Sequence, residues 1–435
     1  PPRSRVPAAP GPAVLVATGL LLAAAPARAQ EQAAEGPPAA KPSVVVQVSD
    51  EGFSLASEDK AFVLKLRGLI QTDGRFFFDD PERTGTNTFV MRRVRPFLEG
   101  TLFGSVDFRL VPDFGNGQPL LQDAWVDLHP REQLRLRVGK FKTPFGLELL
   151  QSDADVPFIE RGLTVDLVPN RDEGLELHGA VLAGRLLYSL AALNGDPDGT
   201  STDLNTDDSF DLVARLFAHP FKGGGAPLLQ GLGLGMAVTW GQQFGTATSP
   251  GVATQRSTGQ QAIFNYLAGT GGAAPVLAYG EHVRYSPQGY FYGGPLGVLA
   301  EYVSSSQDLQ VGDVRARLQH RAWQALISWV LFGGKASFEG VKPTAPFNLG
   351  TGTGGALEVA ARYHSLQLDD DAFPLFADPA RSVRAAKGFG IAVTEYFNKR
   401  VRFSVNFHRT NYEGGAPDGD RPAENALLTR LQLTF

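Results

Sequence analysis

The sequence predicts an all-β chain, a transmembrane antiparallel β-barrel of about sixteen strands with an inward-folded third extracellular loop. Three observations carry that expectation. Segments alternating apolar and polar residues with period two recur along most of the 435 residues. Their connections alternate between short and long, the pattern of tight periplasmic turns and larger extracellular loops. The composition, with 50 Gly, 29 Phe, only 2 Met and no Cys, is unlike that of helix-rich chains and excludes disulfides, thiolate metal sites and a Cys nucleophile.

At the N-terminus, Arg3 and Arg5 precede the apolar run AVLVATGLLLAAA (13–25) and the small-x-small motif ending at Ala29, so residues 1–29 read as a cleaved export signal. Loss of Arg3, Arg5 and Arg28 would take the formal charge from −5 to −8, which gives no support to a nucleic-acid partner. Residues 30–60 read as a leader, QEQAAEGPPAAKPS, followed by a small hairpin, and 61–435 as the barrel. Beyond residue 30 no apolar run reaches the ~18 residues of a spanning helix. The best stretch, AWQALISWVLFGG (322–334), is too short and is interrupted by Gln324 and Ser328.

In KLRGLIQTDGRFF (65–77), Leu64, Leu66 and Ile70 fall on one side and Lys65, Arg67, Gln71 and Asp73 on the other. In RRVRPFLEGTL (92–102), Val94, Pro96, Leu98 and Leu102 oppose Arg93, Arg95, Glu99 and Thr101. LRLRV (134–138), LEVAARYH (357–364), VRFSVNFH (401–408) and TRLQLTF (429–435) repeat the scheme, so charge is expected on one face throughout. Short connections are expected at 104–105, 129–133, 183–185 and 397–400. Long ones are expected at 79–88, 143–172, 194–209, 244–275, 304–316, 368–387 and 411–425, and two turns, 219–230 and 332–355, exceed the pattern. A closed cylinder satisfies every backbone group in lipid, and Phe435, in phase with Leu433 and Leu431, suits its last strand.

The decapeptide RVGKFKTPFG (137–146) sets three cations and two Phe before a stretch that is neither strand nor helix. A strand ending at Gly146 and a loop, 147–174, bent into the bore account for it, Gly and Phe suiting a tight, packed turn. Such a loop narrows a pipe into a filter, where Arg and Lys lower the cost of stripping water from an anion. By parity Lys65, Arg67, Arg95, Arg109, Arg135, Arg137, Arg362 and Arg402 also face inward, and Lys142 belongs to the decapeptide. The competing expectation is that these cations simply pair with Glu99, Asp107, Asp123, Asp127 and Glu358 on neighbouring strands.

Other motifs carry little. NGDPDG (194–199) begins like a calcium loop but has Asn205 where the twelfth-position Glu belongs. LGTGTGGA (349–356) and GGKAS (333–337) lack the strand and helix of a phosphate-binding loop, and the seven His show no metal spacing. No cofactor, metal or catalytic residue is expected.

FVLKLRGLIQTDGRF (62–76), MRRVRPFLEG (91–100), VGKFKTPFGLE (138–148), FIERGL (158–163), GFGIAVTEYFNKRVRFSVNFHR (388–409) and LLTRLQLTF (427–435) resemble the phosphate-selective porin O and P family, from about residue 44 onward. The resemblance implies a sixteen-stranded homotrimeric channel in the outer membrane, surrounded by its lipids, whose third extracellular loop enters the lumen. It matches Arg161 to the family's constriction arginine and Arg93 to a wall arginine. Two departures stand out. Leu149 occupies the place of a lysine carried by phosphate-selective members, and Leu69 that of a pore arginine, with Arg67 two residues away on the same face. Leucine offers phosphate oxygens nothing, so the expectation is an anion-leaning channel for phosphate, polyphosphate or similar small anions rather than a strict phosphate filter. The alternatives are a non-selective porin, an outer-membrane enzyme and a purely structural barrel.

Overall fold

The computed structural model describes residues 44–49, 52–80, 84–201, 203–269 and 271–435. The expected signal segment and the leader to residue 43 lie outside the described residues.

Sixteen strands follow one another in antiparallel order: β1 (Val63–Phe78), β2 (Thr88–Leu102), β3 (Val106–Asp113), β4 (Leu120–Arg131), β5 (Leu134–Lys142), β6 (Arg171–Val181), β7 (Leu186–Leu193), β8 (Asp211–Ala218), β9 (Leu232–Phe244), β10 (Val276–Gly293), β11 (Leu296–Val311), β12 (Val314–Phe332), β13 (Ala356–Gln367), β14 (Val383–Tyr396), β15 (Val401–Ala416) and β16 (Glu424–Thr434). Each pairs with its neighbour, and β16 closes the cylinder on β1 from Thr434 opposite Leu69 to Asn425 opposite Phe78. Closure leaves no sheet edge at membrane depth, the condition for spanning lipid with strands. The expected hairpin, Val44–Ser49 with Gly52–Ser57, pairs with β1 below that seam, Phe53 opposite Leu66. At the seam, Gly68 and Phe435 exchange backbone hydrogen bonds of 2.8 and 3.1 Å. The Phe435 ring covers Gly68 so closely that a Cβ there would lie 2.2 Å from Cζ, which is why this position is glycine.

One rim carries the short connections, although 219–231 and 333–355 are long there too. The other rim carries the loops, and it differs from expectation at 304–316. β11 and β12 continue to a two-residue hairpin, Gly312-Asp313, with Gly312 at φ +57°. These strands rise beyond the apolar belt, so their outward residues become polar and imitate loop sequence. Likewise β15 extends to Ala416.

Charge does not occupy one face throughout. On β12 the inward Leu326 and Val330 are each 3% exposed while the outward Trp323, Ile327 and Trp329 remain open, so both faces are apolar. The inward side is covered by protein rather than water. Phe145, Leu149, Leu163 and Leu167 of the 143–170 loop and Ile263 and Phe264 of the 245–275 loop form one core with Phe376, Val303, Leu309, Leu318 and Leu366.

Candidate permeation pathway

The third loop determines what space remains. β5 ends at Lys142, not Gly146, and a single helical turn, Leu147–Leu150, follows. Gly146 has an ordinary φ of −76°; glycine is required because a Cβ would lie 2.7 Å from the Val168 side chain. The loop then crosses the bore. Leu147 N–H donates to Glu301 Oε2 on β11 (2.7 Å), Leu163 N–H to His364 Nδ1 on β13 (3.0 Å) and Ile159 N–H to Asn406 Oδ1 on β15 (2.6 Å).

Three acids of the loop fix it to arginines of the wall. Glu148 pairs with Arg362 at 3.1 Å and also accepts from Gly162 N–H and Gln324 Nε2. Glu160 receives Arg92 through two bonds of 2.7 and 3.1 Å and Arg75 at 3.3 Å. Asp153 receives Arg95, Arg93 (3.5 Å) and Arg161 (2.5 Å). Burial opposes ionisation of Asp153, yet the guanidiniums of Arg93, Arg161 and Arg95 outweigh it and hold the carboxyl well below the usual range. Burial likewise works against Glu160, and Arg92 overcomes it in the same direction.

Two further segments fill the bore. In the fifth loop, Arg256 N–H donates to Asp166 Oδ2 (3.2 Å) and Ser257 Oγ to Glu424 Oε2 (2.8 Å). From the opposite rim, the 333–355 turn places the Phe338 carbonyl 2.8 Å from Gln151 Nε2 and stacks the Phe338 ring on Tyr290 at 4.9 Å.

A cavity of about 840 Å³ is left, bounded by β1 to β8, the tip of the third loop, the 333–355 turn, and the turn from Tyr396 to Arg402 with the end of β16. Eleven Arg and Lys and six Asp and Glu line it, a positive excess within a chain whose formal charge is −5. Most of its arginines are paired as the competing expectation held. Arg67 and Arg109 meet Glu99 at 3.3 Å each, and Arg137 meets Asp127 and Glu176 at 2.9 Å each while stacking on Trp125. Arg135 takes Asp107 and Asp127. Glu358 instead accepts from the Tyr396 hydroxyl, 2.8 Å away. Among the described residues, Arg215, Lys342, Arg400 and Arg402 line the cavity with no carboxylate at ion-pair distance.

Of the expected site residues, Arg67, Arg95, Arg109, Arg137, Lys142 and Arg402 border this cavity. Lys65 and Arg135 do not border it, and Arg161, Arg93 and Arg362 lie between loop and wall. The Arg161 guanidinium donates to the carbonyls of Glu148 (3.0 Å) and Gln151 (2.9 Å) besides Asp153, so it staples the loop to itself. Lys142 does the same, donating to the Leu149 and Gln151 carbonyls at 2.6 and 2.8 Å. Sequence parity missed Arg92, which a register shift between Gln71 and Thr72 adds to the inward face. It also passed over Arg215, Arg171 and Lys342; Arg215 and Arg171 alternate like their neighbours on short strands, whereas Lys342 sits on a turn that no parity rule reads.

The profile of the family described as phosphate-selective porin O and P matches residues 64–435. The chain belongs to this family. The porin is 26% identical to Porin O of Pseudomonas aeruginosa over 424 residues, covering 88% of this chain and 91% of that one. Its fold is similar to the outer membrane channel DcaP of Acinetobacter baumannii (TM-score 0.56, 12% identity, 87% of this chain and 99% of that one). It is similar also to OmpF of Salmonella typhi in complex with daunomycin (TM-score 0.55, 10% identity, 86% and 98%). The protein is therefore an outer-membrane porin.

Proposed function

We propose that this porin is a water-filled diffusion channel that favours small anions such as phosphate and polyphosphate. The observation that carries the reading is the positive excess around the cavity, concentrated in Arg215, Lys342, Arg400 and Arg402, which among the described residues have no carboxylate at ion-pair distance. In a narrow low-dielectric passage such charges attract anions and repel cations. Arg67, Arg109 and Arg137, between 22% and 34% exposed, keep part of their field because the lumen wets them, whereas Arg95, Arg161, Arg93 and Arg362 act by holding the loop. Leu149 is 3% exposed inside the apolar core, so nothing at that place coordinates phosphate, and the channel discriminates by charge rather than by a dedicated phosphate cage. The chain reaches the Gram-negative outer membrane through a cleaved N-terminal signal and works as a homotrimer, as its family suggests.

Planar-bilayer recording tests this. Under a potassium chloride gradient the wild type is expected to reverse on the anion-selective side, and Arg215→Glu with Arg402→Glu to move the reversal potential toward cations. An unchanged potential in that double variant would overturn the assignment. The extensive pairing of Arg67, Arg109, Arg135 and Arg137 favours one other reading, a non-selective porin, which predicts a wild-type reversal near zero.

A further inference from the structure

On the outer wall, three strands within one stretch of four repeat one arrangement. β12 carries Arg321 and then Trp323, β14 carries Lys387 and then Phe389, and β15 carries Phe407 and then Arg409; all six side chains are exposed. Because β12 and β14 run away from the loop rim and β15 runs toward it, every cation sits on the loop side of its aromatic. β13, between them, adds Tyr363 to the aromatic row and Ser365 and Gln367 above it. The rings touch one another: Trp323 and Tyr363 have centroids 5.5 Å apart, Phe389 and Phe407 6.2 Å. Arg321 lies opposite Gln367, Lys387 opposite Ser365 and Asn411, and Arg409 opposite Phe389, so the cations form one diagonal across four strands.

The cations are not consumed by the protein. Arg321 donates to Gln319 Oε1 (2.5 Å) and Arg409 to Asn425 Oδ1 (3.1 Å); Lys387 has no hydrogen-bond or ion-pair partner among the described residues. Glu413, on the same face, makes no ion pair with them. Arg317, also outward on β12, is by contrast saturated by Glu281 (2.6 Å) and Asp308 (2.7 Å). Aromatic rows mark the boundary between hydrocarbon and headgroups. Cations held just beyond that boundary, with donors left over, stand at headgroup depth.

We propose that this face of β12 to β15 docks the phosphorylated headgroup of an outer-leaflet glycolipid, with Arg321, Lys387 and Arg409 contacting its phosphates and Trp323, Tyr363, Phe389 and Phe407 packing on its acyl chains. Arginine offers a planar fork to phosphate oxygens and lysine a mobile point charge, and anionic headgroups are recognised by such basic clusters. The inference uses the membrane placement of the barrel and is independent of which ions pass through it.

The test compares wild type with Arg321→Gln/Lys387→Gln/Arg409→Gln, each purified in mild detergent and offered diphosphorylated lipid A or its dephosphorylated form, with bound lipid read by native mass spectrometry. Retention of the diphosphorylated lipid is expected to fall at least about tenfold in the triple variant. Retention of the dephosphorylated lipid should not change, and millimolar inorganic phosphate should not displace the lipid from wild type. Single-channel conductance, unchanged in the variant, verifies the barrel. If the triple variant fails to assemble, Lys387→Gln alone gives the same readout with a smaller drop. Equal retention by wild type and variant, wild-type retention indifferent to dephosphorylation, or displacement by free phosphate would each overturn the proposal.

Discussion

The two halves of the barrel wall solve different problems with the same strand geometry. From β1 to β8 the inward face is a lattice of arginines and carboxylates open to the cavity. From β9 to β15 most of it is covered by the third, fifth and 368–382 loops, and it mixes apolar residues such as Val303, Leu309, Leu318 and Leu366 with buried polar ones such as Arg284, Gln324 and His408. The third loop joins them, with acids meeting wall arginines and Phe145, Leu163 and Leu167 entering the core. The difference teaches that lumen-facing is not the same as water-facing. Where loops cover the wall, hydrophobic burial is available on both sides of a strand, and where they do not, only charge and polarity are stable.

The largest effect should come from cutting a joint between loop and wall. Glu148→Ala leaves Arg362, fully buried, without its carboxylate, and the loss of one partner from a buried pair costs about 3–5 kcal/mol. The expected outcome is a lower thermal transition of the folded barrel, followed by gel mobility, together with larger and noisier conductance as the loop loosens. Unaltered conductance would mean that the loop does not set the passage. Next is the packed half itself: Leu326→Ala removes a side chain 3% exposed and should destabilise by about 2–5 kcal/mol through the cavity it leaves. Its reversal potential should stay at the wild-type value, because no charge has moved.

Leu149→Lys sharpens the comparison further. It restores the residue type that the family resemblance expects, but at a place surrounded by the apolar core. An ammonium placed among those apolar side chains loses its hydration and would be expelled or would drag the loop outward. Reduced thermal stability is expected with no gain in phosphate over chloride permeability, and such a gain would show that this position faces the passage after all.

Much of this architecture was legible in advance. Period two identified the strands because one side always meets lipid, and the parity of Lys65, Arg67, Arg93 and Arg95 was right. The extent of pairing was not legible, since Asp153, Glu160 and Glu148 come from a loop whose path no local pattern encodes. Neither was the two-residue hairpin at Gly312-Asp313, because strands that outgrow the apolar belt lose the outward hydrophobic residues that mark them. Arg92 escaped for a third reason: a bulge changes parity, and a bulge leaves no reliable trace in a single sequence.

The smallest effect is expected on the charged half, and it separates paired from unpaired cations. Arg137→Gln removes one positive charge but also releases Glu176 and one of the partners of Asp127, which keeps Arg135 and His178. Its neighbours can therefore absorb part of the change, and with Arg137 22% exposed but both carboxylates buried the loss should be about 1–3 kcal/mol, below that of the fully buried Glu148–Arg362 pair. The folded barrel should melt within a few degrees of wild type, and the reversal potential should move toward cations by less than in Arg215→Gln, which removes the same single charge from a guanidinium that, among the described residues, has the Gln288 amide oxygen at 3.1 and 3.2 Å and no carboxylate at ion-pair distance. If the two variants shift the potential equally, ion pairing does not screen the lattice, and every lumenal arginine contributes to the field whatever its partner.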